Sequence, residues 1–214
     1  MKFGLYALRI VFALAGVAHA QNENASGQPS WKDEIARGYL PRTQLKVEDF
    51  PVNDQTDPGT AFSIKSFIHP RWHFVVKEQD GVVDLAVDRW MVFSGLDRNL
   101  SWRKSAFKGM KEALPYAQAL LDINEFYARQ LGAVKLSELP QIRSTSIVEA
   151  STELETELTK LAQQKYKQMQ AEQEAFAKAT DNGHNAKKVR EKAAEIRKRL
   201  EATPPTTVPY PQPK

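Results

Sequence analysis

Three observations predict an α+β fold. Apolar residues alternate with period two between residues 45 and 93, the period becomes helical after Ser101-Trp102, and a capping box at Ser146 and Glu149 opens a second, longer helical stretch. The expected architecture is a small antiparallel sheet at about 45–93 followed by helices at about 105–131, 147–179 and 186–202.

The chain begins with a segment that reads as a secretory signal peptide, residues 1–20. Lys2 supplies the positive end, Ile10 to Ala18 the short apolar run, and Ala18-His19-Ala20 the small-x-small pattern before Gln21. The run falls short of the about 20 apolar residues a spanning helix needs. An uncleaved N-terminal anchor is the competing reading. Residues 21–44 are polar and rich in Asn, Gln, Gly and Pro, and are expected to be a flexible lead-in with Trp31 and Tyr39 as docking points.

The β signal follows. Phe62, Ile64 and Ile68 alternate with polar neighbours, and Trp72, Phe74 and Val76 share one face. Asp80-Gly81 is a strong hairpin turn, after which Val83, Leu85 and Val87 resume the period of two. This predicts three or four half-buried antiparallel strands. Met110, Ala113, Leu114, Ala117, Leu120, Leu121, Asn124, Ala128 and Leu131 then follow helical spacing. Pro115 interrupts them, so the helix either begins near Pro115 or kinks there. Gly132 is the expected C-cap.

Leu154, Leu158, Leu161, Ala162, Met169 and Phe176 form a narrow stripe on the long helix, roughly 50 Å in length at the helical rise per residue. Such a helix projects from a small core, packs on another helix of the chain, or mates with a partner. Asp181-Asn182-Gly183 interrupts it. The last helix has Val189, Ala193, Ile196 and Leu200 on one face and a basic other face, with Lys187, Lys188, Arg190, Lys192, Arg197, Lys198 and Arg199 against Glu191 and Glu195. That face is either solvated or makes weak contact with an anionic surface. Residues 45–202 thus read as one domain. Residues 203–214, with five prolines in twelve positions, read as a disordered tail.

Composition narrows the chemistry. The 214 residues include no Cys, which excludes disulfides, thiolate metal sites and a cysteine nucleophile. Thirty Lys and Arg face 26 Asp and Glu; loss of Lys2 and Arg9 with the leader would take the net charge from +4 to +2. So mild a charge does not point to nucleic acid. Three of the four histidines would remain: His69, His73 and His184. His69 and His73 are four apart, a metal-ligand spacing only on a helix. Their segment reads as a strand, where they stand roughly 13 Å apart. No P-loop, nucleophile elbow or Gly-rich dinucleotide turn is present.

The stretch from Leu114 to Arg129 carries a resemblance. It is similar to the central helix of a bacterial family of predicted secreted zinc-dependent proteases, a domain of unknown function whose pattern there is L-x-H-E-Q-G-H-F-D-I-x-E-x-x-A-R. Leu114, Gln118, Asp122, Ile123, Glu125, Ala128 and Arg129 are in register. Leu45 with Glu48-Asp49-Phe50 resembles the family's first-strand L-x-W-x-D-F motif, with Val47 in place of Trp. Ser101-Trp102 matches a family Ser-Trp. Residues 176–185 resemble Y-D-x-E-T-x-H-x-x-N. The resemblance covers about residues 45–200 and implies a zincin-like helix at about 105–131.

It also implies what has changed. Two His at i and i+4 hold one zinc ion while the intervening Glu acts on zinc-bound water. Here those histidine positions are Tyr116 and Leu120, the glutamate is Ala117, and the third histidine falls on Asn182, with His184 two residues on. The expectation is a vestigial site with no catalytic residue and no zinc or other cofactor. Gln118, Asp122, Glu125, Arg129 and His184 remain as binding candidates, and Glu125 and Arg129, at i and i+4, can pair. Three functions follow. One is an exported, catalytically silent module of the bacterial envelope, periplasmic or secreted, that binds an envelope protein or peptide. Another is a metal-dependent hydrolase with a rearranged site, drawing on His184, His69 or His73 and on Asp181 or Glu125. The third is an adaptor that uses the long helix.

Overall fold

The computed structural model describes residues 31–41, 44–56 and 59–208. The signal-peptide segment, residues 21–30 of the lead-in and the last six residues lie outside the described residues. The fold is α+β: an antiparallel sheet backed by three long helices.

The sheet is built around one hairpin. Strands β3 (Ser66–Gln79) and β4 (Val82–Asp97) pair along their length and are joined by Asp80-Gly81, with φ of 53° and 73°. Two successive positive φ values match the twist of the flanking strands, which is why Asp-Gly suits this turn. A bulge between His73 and Phe74 shifts the register. On its other side β4 pairs with β1 (Tyr39–Pro41) near its C-terminal end and with β6 (Gln141–Ser144) near its N-terminal end. A separate two-stranded ribbon joins β2 (Phe62–Ser63) to β5 (Trp102–Arg103).

The edge strand β3 is partly sealed from the helical side. Tyr166 Oη accepts from the Ile68 amide at 2.8 Å and donates to its carbonyl at 3.0 Å. Burial pushes this phenol up to about 12, so it keeps the proton it donates. An edge occupied at Ile68 offers less backbone for a foreign strand.

Helix α2 (Met110–Gly132) is central and contacts the sheet and both later helices. Its burial is correspondingly wide, from Tyr116 and Ala117 through Leu120, Leu121 and Ile123 to Leu131. It starts later than the periodicity predicts, because residues 104–108 turn: Phe107 N–H bonds the Lys104 carbonyl at 3.1 Å, and Gly109 is the N-cap. It then runs through Pro115, an exposed position, so Lys111 loses an amide partner on the solvent side. Gly132 is not the cap. The C-cap is Ala133 in ordinary right-handed backbone, and a Cβ on Gly132 would lie 2.6 Å from the Thr206 carbonyl oxygen. Close approach of the tail is what requires glycine there.

Helix α3 (Ile147–Ala179) has its expected bounds. Ser146 Oγ accepts from Glu149 N–H, but Glu149 reaches back to Ser144 Oγ, which in turn accepts from Ser146 N–H. The box is thus relayed through Ser144. The stripe of α3 is used inside the chain: Leu154 and Leu158 pack with Val83, Leu85 and Ile142, and Met169 and Phe176 pack in the α2 core. Helix α4 (Ala186–Glu201) is N-capped by Asn185, whose Oδ1 accepts from Lys188 N–H at 3.0 Å, and it buries Val189, Ile196 and Leu200.

Three expectations about loops need correction. The lead-in holds helix α1 (Trp31–Ala36) and β1 rather than flexible chain alone. Glu34 anchors α1: it is 1% exposed, 3.3 Å from His69 Nδ1 and 3.0 Å from Arg71. Burial raises the Glu34 pKa, but hydrogen bonds and charge from His69 and Arg71 outweigh it and hold the carboxyl below its usual range. Residues 45–50, read as a first strand, form a 3-10 turn at Val47–Asp49, because Asp49 Oδ2 accepts the Lys46 amide at 2.7 Å. Residues 203–208 of the proline-rich tail are docked: Val208 N–H bonds the Val92 carbonyl at 2.8 Å, between the β6 and β1 partners of β4.

Ser101 explains itself in the same way. It is 1% exposed and its Oγ accepts the Lys65 amide at 2.9 Å, tying β5 to the start of β3.

Candidate functional site

The positions that the family pattern assigns to metal chemistry lie where α2 meets the turn between α3 and α4. Tyr116 is 2% exposed and stacks on Phe176 with ring centroids 5.3 Å apart. Ala117 and Leu120 are buried beside it, and the Leu120 carbonyl accepts from Gln173 at 3.0 Å. Apolar residues of α2 and α3 therefore fill the site, with Gln173 satisfying one backbone group.

The turn closes the other side. Thr180 is the C-cap of α3, Asp181 and Asn182 follow with φ of 52° and 51°, and Gly183 has φ 87°. Asn182 N–H reaches the Ala177 carbonyl at 2.7 Å and Asp181 N–H the Lys178 carbonyl at 3.4 Å, the paired bonds of a Schellman ending. Gly183 lays its backbone on the Tyr116 ring: a Cβ there would lie 2.9 Å from Tyr116 Cγ. Glycine is needed for both the dihedral and the contact. Asn182 and His184 are exposed on the outer side of this turn.

The fold thus brings the turn that carries Asn182 and His184 against Tyr116, but these residues do not make a zinc donor set. Leu120 and Ala117 have no donor atom. Burial pushes the Tyr116 phenol well above its ordinary pKa, away from the phenolate that could ligate. Its hydroxyl is buried and has no hydrogen-bond partner among the described residues. Replacing Tyr116 with Phe is therefore expected to stabilise the chain by about 1 kcal/mol, since a buried hydroxyl without a partner costs its desolvation. Urea unfolding of the two proteins checks this, and a loss above about 1 kcal/mol would mean that the hydroxyl is satisfied.

The other histidines are elsewhere. His69 pairs with Glu34, and His73, exposed on the hairpin, sits 2.7 Å from Asp88. Among the described residues no group of three or more His, Asp or Glu is placed to hold a metal ion. Glu125 is committed to another task. It is 5% exposed, bonds Arg129 Nε at 2.8 Å and accepts from Ser94 and from Thr207, the latter at 2.9 Å. Arg129 also donates to the Leu200 and Thr203 carbonyls at 3.0 and 2.8 Å, and Thr206 Oγ1 donates to the Arg129 carbonyl. The pair clamps the end of α4 and the tail onto α2.

Gln118 and Asp122 face a different way. Gln118 Oε1 accepts the Leu45 amide at 2.9 Å, and its Nε2 donates to Asp122 Oδ1 at 3.1 Å. Both line a groove of about 710 Å³ between α2 and α4, together with Lys111, Arg190 and Arg197. The i, i+4 spacing of Gln118 and Asp122 was legible in the sequence. The joining of Lys111 to two arginines of α4 was not, because nothing in a single chain's periodicity tells which helices are neighbours.

No family model, curated protein or solved structure matches the chain.

Proposed function

We propose that this chain is an exported, catalytically silent relative of the zinc-protease-like family, acting as a binding or structural module of the bacterial cell envelope. One observation carries the reading. The position matching the first zinc histidine holds Tyr116, stacked on Phe176 and covered by the Gly183 turn, while the positions of the second histidine and the glutamate hold buried Leu120 and Ala117. An aromatic ring and aliphatic side chains occupy the volume that a metal and its ligands would need. That the turn matching the third-ligand segment packs on Tyr116 supports the alignment behind the resemblance. The signal-peptide reading of residues 1–20 supports export.

Metal content and peptidase activity of the purified mature protein test the reading. The expected result is sub-stoichiometric zinc after dialysis and no peptide cleavage above a buffer control. Stoichiometric zinc that a chelator removes together with a peptidase activity would overturn it.

A further inference from the structure

The groove between α2 and α4 lies on the face of α2 away from Tyr116. Lys111, Leu114, Pro115, Gln118 and Asp122 follow i, i+3, i+4, i+7 and i+11, and Gln118 is turned about 200° from Tyr116 at the helical step of about 100° per residue. The floor is apolar and small, with Leu114, Ala119 and Ala193. Lys111, Arg190 and Arg197 stand around it, all exposed. None of these three charged heads has a salt-bridge or hydrogen-bond partner among the described residues.

The contrast along α4 is informative. Lys187, Lys192 and Arg199 pair with Glu191, Glu195 and Glu172 at 3.9, 2.8 and 2.5 Å. Arg190 and Arg197, which line the groove, have no such partner among the described residues. Asp122, the one carboxylate among the described residues that line the groove, is 1% exposed and held by Gln118. Three cations therefore face the opening against one recessed carboxylate, over a floor that would desolvate an apolar group.

We propose that this groove binds an extended acidic peptide segment, with two carboxylate side chains three residues apart flanking an apolar one. The spacing follows from the helix. Arg190 and Arg197 are seven residues apart, about 10.5 Å along α4. A peptide in the extended polyproline II conformation, with three residues per turn and a rise of about 3.1 Å, covers about 9.3 Å in three residues and keeps both carboxylates on one face. The carboxylates reach the two guanidinium groups, which favour bidentate pairing, and the apolar residue lies over Ala193. The exposed Gln44 lines the same groove and supplies an amide for the peptide backbone. Because the groove lies across α2 from Tyr116, the proposal does not depend on whether the Tyr116 position is a vestigial metal site, and zinc measurements leave it untouched.

The test uses a fluorescein-labelled peptide of sequence Gly-Ser-Glu-Leu-Ala-Glu-Leu-Ser-Gly and fluorescence anisotropy with the mature protein at low salt. Saturable binding is expected, weakening at least about tenfold when salt is raised to physiological strength. Arg190→Glu with Arg197→Glu is expected to lose it, and Ala193→Trp, which fills the groove without changing charge, is expected to lose it as well. Lys188→Glu with Lys198→Glu carries the same charge change on exposed positions of α4 outside the groove, and should lose much less binding than the Arg190/Arg197 variant, the gap widening as added salt screens long-range attraction. Circular dichroism confirms that each variant is folded. Absence of peptide binding at low salt would overturn the proposal. So would equal loss in the Lys188/Lys198 variant, retention in Ala193→Trp, or binding only to anionic phospholipid vesicles.

Discussion

Replacing Arg129 with alanine is expected to destabilise the chain by about 3–5 kcal/mol, the range for removing one partner of a buried ion pair. The side chains of Arg129 and Glu125 are only 15% and 7% exposed, and their Nε–Oε1 bond is 2.8 Å. Truncation strands three acceptors at once: the Glu125 carboxylate and the carbonyls of Leu200 and Thr203. Ser94 and Thr207 still donate to Glu125, but two neutral hydroxyls do not balance a desolvated charge. Glu125→Gln should cost less, about 1–2 kcal/mol, because the amide oxygen can still accept from Arg129 and Thr207 while its nitrogen can donate to Ser94 Oγ. The double variant should be more stable than Arg129→Ala alone, since it removes the uncompensated carboxylate. Urea midpoints of the four proteins give this cycle. A loss below about 1 kcal/mol for Arg129→Ala would mean the pair is solvated and the tail is not clamped.

That clamp also shows where sequence and structure part company. The i, i+4 spacing made the Glu125–Arg129 pair legible, because helical neighbours are fixed by local geometry. Its purpose was not legible, because the partners come from residues 200–207, more than seventy positions away. For the same reason the proline content of residues 203–208 read as disorder, whereas Thr203, Thr206, Thr207 and Val208 hold the segment with backbone and hydroxyl bonds. Gly132 read as a cap by position alone, and only the approach of Thr206 reveals why no Cβ fits. The Asp80-Gly81 hairpin and the bounds of α3 were legible because turn chemistry and capping act within a few residues. In the candidate site, the burial of Tyr116, Ala117 and Leu120 was legible in the helical period of α2. The contact between Tyr116 and Gly183, and the outward position of Asn182 and His184, needed the fold.

Placing a glutamate at Ala117, where the family pattern has its catalytic base, is expected to cost more than about 4 kcal/mol at neutral pH, a large share of the about 5–15 kcal/mol that keeps an ordinary domain folded. Ala117 is 0% exposed and packs in the core with Tyr116, Leu120 and Leu121. The larger side chain costs about 1–3 kcal/mol in overpacking, and an unpaired carboxylate adds its desolvation. Burial raises the folded pKa of the new carboxyl above its unfolded value. The variant's deficit relative to the parent is then smallest at acid pH, where the group is neutral in both states, and grows as pH rises through the folded pKa. Adding Tyr116→His and Leu120→His rebuilds the family motif on α2, but the Gly183 turn still covers position 116, and Asn182 on that turn brings no imidazole. The triple variant should therefore remain less stable than the parent in the presence of zinc as well as without it. Differential scanning calorimetry with and without added zinc decides the matter. A triple variant as stable as the parent that binds one zinc ion per chain would mean that the space around Tyr116 is an open metal cleft, and the reading of a site filled by packing would fall. If instead the triple variant's deficit persists with zinc and that of Ala117→Glu alone shrinks at acid pH, then the side chains at Tyr116, Ala117 and Leu120 are part of the core, and a metal site there would require rebuilding the packing of α2 against α3 and the Gly183 turn.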